Sequence, residues 1–440
     1  MTRLQKTEWQ FKGEITAFLS LLFILILSLV GVLVESASIQ ITRSRKRADV
    51  NTALESVFAE YHTEMLHIYD VFVRFGCEED RMQDRLEYYG AGNMSHSLAK
   101  VRLLTDDSGN PYYNQVVRYM KSQLGIHTDS SKVVEEEELF FYETERDEVF
   151  ADLDGLLAEE ETGLTKENNP MNWARNLKST GLLSLLVPNS KTLSNSTIAV
   201  ETLPTHRTLQ KGTDTQKEQN ATGGKWLFVR YLKEHFANYT TKETSKPLLY
   251  EQEYLLAGED GDRENLEAVC KKILNMRMAL NYAYLLSDTQ RQAEAEAMAL
   301  SLCAMVLNPE IAPLVKQALL LVWAYGESIV DVRGLLKEKK VPVIKTSETW
   351  QLQLANVTKL GTNEEISGEK DYEQGITYED YLESLLLLEN KEDLCMRSLD
   401  LIEANLHIKT DHCMTKASIE TKLLLRRGVR DTFITTFEYQ

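Results

Sequence analysis

Ser97-Leu98-Ala99-Lys100 has the S-x-x-K spacing of a serine nucleophile beside a lysine base, but no S-D-N or K-T-G follows it. His407, Asp411, His412 and Cys413 bring metal-binding side chains into one short stretch. A metal needs converging, supported ligands, and adjacent His and Cys diverge on any regular element. Glu327 and Asp331 stand one helical turn apart, the spacing of a carboxylate pair. They are expected on a solvated face, or paired with Arg333 or a neighbouring helix. The acidic run Glu135–Glu138 lies in no D-x-D-x-D-G calcium loop and reads as a solvated face or linker. H-E-x-x-H, P-loop, G-x-S-x-G and Rossmann patterns are absent. These observations predict a non-enzyme with no catalytic residue, no metal, no cofactor and no small-molecule substrate.

The elements that carry these residues begin with an apolar segment. Ile15 to Val34 is twenty residues without a formal charge. At about 1.5 Å per residue it is about 30 Å long, the thickness of a bilayer's hydrocarbon layer. A signal-peptide core is only about 7–15 residues long, so the length favours a retained membrane helix, with cleavage after Ser36-Ala37-Ser38 as the alternative. Arg3, Lys6 and Lys12 precede the segment, and Arg43, Arg45, Lys46 and Arg47 follow it. Basic residues on both flanks leave the positive-inside rule undecided. Glu14, at the segment's edge, is a carboxylate at membrane depth or in the interface, and such groups are functional candidates.

Past the basic cluster, apolar residues recur at Val50, Leu54, Val57, Tyr61, Met65, Ile68, Phe72 and Phe75, in steps of three and four. That is one stripe of a helix, and no Pro or Gly interrupts Val32 to Phe75. The expectation is one rod continuing through residue 75, with a break at the basic cluster as the alternative. Either way the stripe needs a packing partner.

The formal net charge of −18 excludes nucleic acid as a natural partner. Five scattered cysteines without a C-x-x-C pair exclude a zinc ribbon or a disulfide-stapled scaffold. "YYNQVVRYMKSQLG" reads as a helix ending at Gly125, and "GLLSLLVP" as a short buried strand or turn-bounded apolar run. Asp262 is placed to cap a helix carrying Leu266, Val269, Ile273, Met276 and Leu280. A helix over about Gln290–Leu307 precedes a new start at Asn308-Pro309. "ALLLVWAY", Ala318–Tyr325, is only eight residues between charges and reads as a core helix. "VPVI", Val341–Ile344, reads as a strand, "TYEDYLESLLLLEN" and "KEDLCMRSLDLIEANL" as helices, and Ile419–Tyr439 as a hairpin around Arg426-Arg427-Gly428.

The predicted fold class is therefore mainly α with minor β. Residues 1–14 form a short basic leader, 15–34 a transmembrane helix and 35–75 an amphipathic stem. Residues 76–180 form a first ectodomain part with the acidic segment, 181–224 a polar linker or mobile loop, and 225–440 a helix-rich C-terminal domain.

"KGEITAFLSLLFILILSLVGVLVESA", "ALESVFAEYHTEMLHIYDVF", "LLTDDSGNPYYNQVVRYMK" and "LLVWAYGESIVDVRGLLKEKKVPVIKT" carry a resemblance. The chain resembles a family of membrane proteins of Gram-positive anaerobes, with a domain of unknown function, encoded among tight-adherence (Tad/Flp) pilus genes. Its N-terminus is similar to TadE/TadG-like minor pilins. The resemblance implies a single-pass anchor in the cell membrane, N-terminus cytoplasmic, large domain extracytoplasmic. It implies a minor pilin-like subunit or assembly factor, with the lipid bilayer and proteins of a pilus or envelope assembly as partners. It also implies a processing site, because type IV prepilins are cut after a Gly that follows a basic leader, as Gly13 does. Prepilins place Glu fifth after the cut; here Phe18 occupies that position, and the Glu is Glu14. The alternative function is a membrane-anchored binding or sensor module.

Overall fold

The computed structural model describes residues 5–76, 78–126, 164, 169–187, 193–216, 224–241, 245–362, 369–425 and 428–439, with side chains from residue 15 onward except that of Glu79. The acidic run Glu135–Glu138 and Arg426-Arg427 lie outside the described residues. The fold is mainly helical with a small sheet, and the contacts divide the chain into two compact units. Both are discontinuous. The first comprises Met1–Asp106, Gln210–Lys217 and Asp411–Gln440, and the second Asp107–Leu209 and Glu218–Thr410. This differs from the expected C-terminal domain over 225–440. The chain's last strands pair with an early strand, a bond between distant segments that local pattern does not reveal.

In the first unit, helix α1 (Gln5–Phe58) runs without interruption from the apolar segment through the basic cluster. Over the part from Ile15 to Phe58, 44 residues, it is about 66 Å long. It stops at Phe58, short of the expected residue 75. The chain turns at residues 59–62, where the His62 N–H donates to the Val73 carbonyl at 2.8 Å. The His62 ring nitrogen Nδ1 then accepts from the Met65 N–H at 3.1 Å, capping the short helix α2 (Thr63–Tyr69). The predicted stripe divides accordingly. Val50, Leu54, Val57 and Met65 are buried, whereas Tyr61, Ile68, Phe72 and Phe75 are exposed. Spacing that suits one continuous helix loses its meaning once the helix ends.

The sheet that receives α1 is antiparallel. Strand β1 (Arg74–Phe75), helix α3 (Glu79–Leu86) and strand β2 (Ser95–Leu103) come early in the chain, and β3 (Cys413–Leu424) and β4 (Arg430–Glu438) close it. β3 is central and pairs with each of the others, Val101 opposite Ala417 and Ile419 opposite Thr435. β3 and β4 form the expected terminal hairpin. The inward positions Met414, Ala417, Ile419 and Leu423 build one core with Val50, Leu54, Val57 and Phe58.

The second unit holds α4 (Asp106–Gln123) from residue 107 on, α5 (Pro170–Ser179), α6 (Leu182–Leu186), α7 (Gly224–His235), α8 (Glu251–Ala257), α9 (Asp262–Ser287), α10 (Thr289–Met305), α11 (Ala312–Leu336), α12 (Tyr378–Leu388) and α13 (Lys391–Leu406). α11 is its axis: every residue from Ala318 to Leu336 is buried, with α5, α6, α9 and α10 packed around it. "ALLLVWAY" is thus the expected core helix. α4 ends at Gln123, with Gly125 at φ 66°, as its terminator predicted. "GLLSLL" is helical, α6, where a strand or turn-bounded run was expected. "VPVI" contributes only a single bridge, Val341 to Ile376. Asp262 does not cap its own helix; its carboxylate accepts from the Leu249 and Tyr250 N–H groups at the start of α8. Residues 193–216, expected as a mobile loop, are tied down instead. Thr197 bridges to Gly261, and the Thr205 hydroxyl donates to Asp400 at 2.6 Å. Asp214 meets Arg102 at 2.9 Å.

Candidate functional site

Two places in the chain concentrate unusual chemistry. The first is α1. From Ile15 to Val34 its side chains are exposed, and the helix is long and apolar enough to cross a membrane. Its serines need no outside partner. The Ser20 hydroxyl donates to the Ala17 carbonyl and the Ser28 hydroxyl to that of Leu25, each at 2.8 Å. An apolar solvent demands this, since an unpaired hydroxyl there costs several kcal/mol. Gly13 and Glu14 fall within α1's range, but the Glu14 side chain lies outside what the structure describes.

Farther along, α1 changes partner. Arg43 Nε approaches Asp431 at 3.3 Å, and Arg47 reaches the same carboxylate at 3.7 Å while lying 5.1 Å from the centre of the Phe433 ring. Phe58 stacks on Phe437 at 4.6 Å, and the Tyr439 hydroxyl donates to the Phe58 carbonyl. One helix is therefore bare at one end and clamped to a sheet at the other, with no hinge between.

The second place is a buried charge network in the second unit. Glu327 and Asp331 on α11 are fully buried, which corrects their expected place on a solvated face and bears out the alternative of a neighbouring helix. Lys345 Nζ lies 2.6 Å from Glu327 and 2.6 Å from Asp331. Arg277 of α9 donates to Asp331 through Nε at 3.0 Å and Nη2 at 2.8 Å, and the Asn281 amide adds a third bond at 2.9 Å. Arg277 Nη1 also donates to the Pro342 and Val343 carbonyls at 2.8 and 2.9 Å. Glu327 accepts from the Gln351 and Leu352 N–H groups at 3.0 and 2.7 Å. Gly326 permits that approach, because a Cβ there would stand 2.6 Å from Leu352 Cδ2.

Burial pushes the Asp331 carboxyl up, and Arg277 followed by Lys345 overcomes this and holds it below its ordinary value. Burial also raises Glu327, and Lys345 only partly offsets it. The ammonium of Lys345 is destabilised by burial but held above its ordinary value by Asp331 and Glu327. Both carboxylates are committed to cations and backbone groups within their own unit. The arrangement is a lock that fastens residues 342–352 onto two helices. Sequence reading missed Arg277, although it sits four residues after Ile273 on the buried face of α9, where a charge signals a buried partner.

The remaining chemical candidates are dispersed. Ser97 lies on β2 opposite Glu420, and Lys100 Nζ is 3.7 Å from Asp214. His407 ends α13 in the left-handed region, Asp411 accepts from the Gln210 N–H at 3.0 Å, and His412 stacks on Phe75. Among the described residues no group of three or more His, Cys, Asp or Glu is placed to hold a metal. Cys270, Cys303, Cys395 and Cys413 are buried. A cleft of about 360 Å³ in the second unit is lined by Ile198, Leu203, Pro247, His407 and Ile408, with Glu403 at its side. That carboxylate is occupied by Arg207 and by the Thr410 N–H at 3.1 Å.

Comparison with known proteins reaches residues of both units. No curated protein and no solved structure matches the chain. One family model does, over residues 160–424, more than half of the sequence, a span that contains α11 and its charge network. The chain belongs to that family, the family of unknown function DUF5702.

Proposed function

We propose that the chain is a single-pass, membrane-anchored structural protein of the cell envelope: a pilin-like minor subunit, or an assembly factor, of a Tad-like pilus. The observation that carries this reading is the two-faced α1. Its bare half needs a bilayer or the bare halves of identical subunits, and its far end is fixed to a sheet of its own unit. A rod of this kind transmits the position of its apolar end to the folded part without slack, as polymerisation from a membrane requires. In this reading the N-terminus is cytoplasmic, the folded units are extracytoplasmic, and the role is not catalytic. The Gly13–Glu14 bond is its candidate processing site.

Sheared surface filaments, probed for the chain, test the proposal. Presence in the filament fraction is expected for a subunit, and exclusive retention in the membrane removes that role while leaving assembly factor. Mass spectrometry of the mature N-terminus separates a start at Glu14, which means prepilin-type processing, from an intact start, which means a plain anchor. A start near Ala37–Ile39 means secretion and defeats the anchor altogether. The apolar cleft at Ile198, Leu203 and His407 favours a second reading, an anchored module that binds an envelope ligand.

A further inference from the structure

We infer that Lys345 and Glu327 join in an isopeptide bond, an amide between the lysine nitrogen and the glutamate carboxyl carbon, with Asp331 as the base that moves the protons. The ion pairs described above are then the unreacted arrangement, and the finished chain carries a covalent staple between residues 342–352 and α11. The three groups meet as the reaction needs. Lys345 Nζ lies 2.6 Å from Glu327 Oε1 and 2.6 Å from Asp331 Oδ1, and all three side chains are fully buried. The reacting carbon of Glu327 is bonded to that Oε1, so the amine already stands against the carboxyl group. Holding two reactants in place replaces a chance encounter by a fixed one, which accelerates a reaction by several orders of magnitude.

Each carboxylate is held for a different role. Asp331 takes three donors on Oδ2: Arg277 Nε at 3.0 Å, Arg277 Nη2 at 2.8 Å and Asn281 Nδ2 at 2.9 Å. No hydrogen bond is aligned on Oδ1, so that oxygen is left facing Lys345. Glu327 instead meets backbone: Oε2 accepts from the Leu352 N–H at 2.7 Å and Oε1 from the Gln351 N–H at 3.0 Å. A backbone N–H aimed at a carboxyl oxygen stabilises the charge that develops there in a tetrahedral intermediate. Leu352 is itself fixed, since the Trp323 and Trp350 indoles each donate to its carbonyl at 2.8 Å. Burial raises the Glu327 carboxyl toward its protonated, electrophilic form. Burial raises Asp331 as well, but Arg277 draws it below its ordinary value and keeps it an anion able to take a proton.

The step balances within the chain. One proton of the Lys345 ammonium passes through Asp331 to Glu327 Oε1, leaving an amine and a carboxylic acid. The amine lone pair attacks the Glu327 carboxyl carbon, a C–N bond forms, and negative charge develops on Oε2 beside the Leu352 N–H. Asp331 takes a second proton from the nitrogen and delivers it to Oε1. The carbon–Oε1 bond breaks and water leaves. Nothing is oxidised or reduced. A buried ammonium and a buried carboxylate, both costly in an apolar interior, are replaced by one neutral amide. Asp331 returns to its pair with Arg277.

Peptide mapping of the full chain, purified in micelles and digested after denaturation, tests the bond. The expected product is a pair of peptides joined between Lys345 and Glu327, one water lighter than the sum of its parts, with tryptic cleavage after Lys345 lost. Separate peptides, with trypsin cutting after Lys345, overturn the inference and leave a salt bridge only. Glu327→Gln carries the sharper signature. Its bridge is expected to form with loss of ammonia in place of water, which a purely electrostatic role does not produce. A bridge from Lys345 to Asp331 overturns the assignment of Glu327. Asp331→Asn is expected to slow linkage about a hundredfold, read as separate peptides in freshly made chain, and unchanged linkage removes Asp331 as the base. Lys345→Arg keeps the charge and is expected to give separate peptides only. The parent digest alone decides whether the bond exists, so a variant that does not fold leaves the test decided.

Discussion

Two stretches of this chain, Ile15–Val34 of α1 and Ala318–Leu336 of α11, are about equally long and strongly apolar, yet they meet opposite surroundings. The first is exposed along its length, and the second is buried along its length. Hydrophobicity alone does not separate them. Their polar groups do. Ser20 and Ser28 in α1 turn back on their own helix, so that stretch is complete within itself. Glu327 and Asp331 in α11 are satisfied by Arg277, Asn281, Lys345 and the 351–352 backbone, all from other segments, and Ser328, which donates to Ala324 of its own helix, also accepts from Asn281. A helix that needs lipid must close its own hydrogen bonds, whereas a helix that needs a protein core keeps open groups for its neighbours.

The largest predicted effect removes a partner from α11. Lys345→Met leaves Glu327 and Asp331 facing each other without their shared cation. Breaking a buried pair from one side costs about 3–5 kcal/mol, and denaturant unfolding of the full chain in micelles is expected to show that loss. A loss below about 1 kcal/mol, the range of exposed pairs, would mean that the network does not fasten residues 342–352. The matching change in α1 is Leu25→Asp. It has no partner to recruit, so insertion is expected to weaken by about 2.5–3.5 kcal/mol, read as a fall in the carbonate-resistant membrane fraction. Unfolding of the two core-bearing units is expected to stay unchanged, because Leu25 is exposed and belongs to neither core. If Leu25→Asp destabilised a folded unit, the bare half of α1 would have a protein partner after all.

These contrasts explain what was legible from sequence. The stripe at Val50, Leu54 and Val57 was legible because each residue faces one core at helical spacing. The end of α1 was not, because the turn at 59–62 depends on a bond from His62 to Val73 while the apolar spacing runs on through Tyr61 and Ile68. The i, i+4 spacing of Glu327 and Asp331 was visible, but their burial was not. Arg277 lies 54 residues from Asp331, and periodicity along one helix does not report the charge on another. Strand β2 and its partner β3 lie at opposite ends of the chain, so the sheet and the division into units came only from pairing.

A third buried acid sharpens the comparison, because no cation stands against it among the described residues. Glu253 of α8 accepts from the Tyr239 N–H at 3.0 Å and the Tyr378 hydroxyl at 2.8 Å. Burial pushes its carboxyl up to about 7. The folded value is above the unfolded one of 4.5, so its contribution is full below pH 4.5 and is lost as pH rises through about 7. The whole window is worth roughly 3 kcal/mol. Glu253→Gln is expected to flatten the stability difference between about pH 5 and about pH 8 relative to the parent. Asp400, pushed up to about 6 by burial, adds a slope of the same sign in both proteins and cancels in the difference. An unchanged slope would mean that Glu253 is charged in the folded state.

The smallest predicted effect asks whether apolar spacing has meaning where neither core nor membrane takes it up. Ile68 continues the stripe of Val50, Leu54 and Val57 by number, yet it is 45% exposed on α2. Ile68→Ala is expected to change stability by no more than about 0.5 kcal/mol, as for an ordinary surface site. Val57→Ala, on the same stripe but fully buried against the sheet, leaves a cavity, and such core truncations cost well over 1 kcal/mol. Equal losses at the two positions would return Ile68 to a packed surface and restore the continuous rod that the sequence spacing predicts. Unequal losses place the end of the functional stripe at Phe58, where α1 ends and its sheet contact is complete.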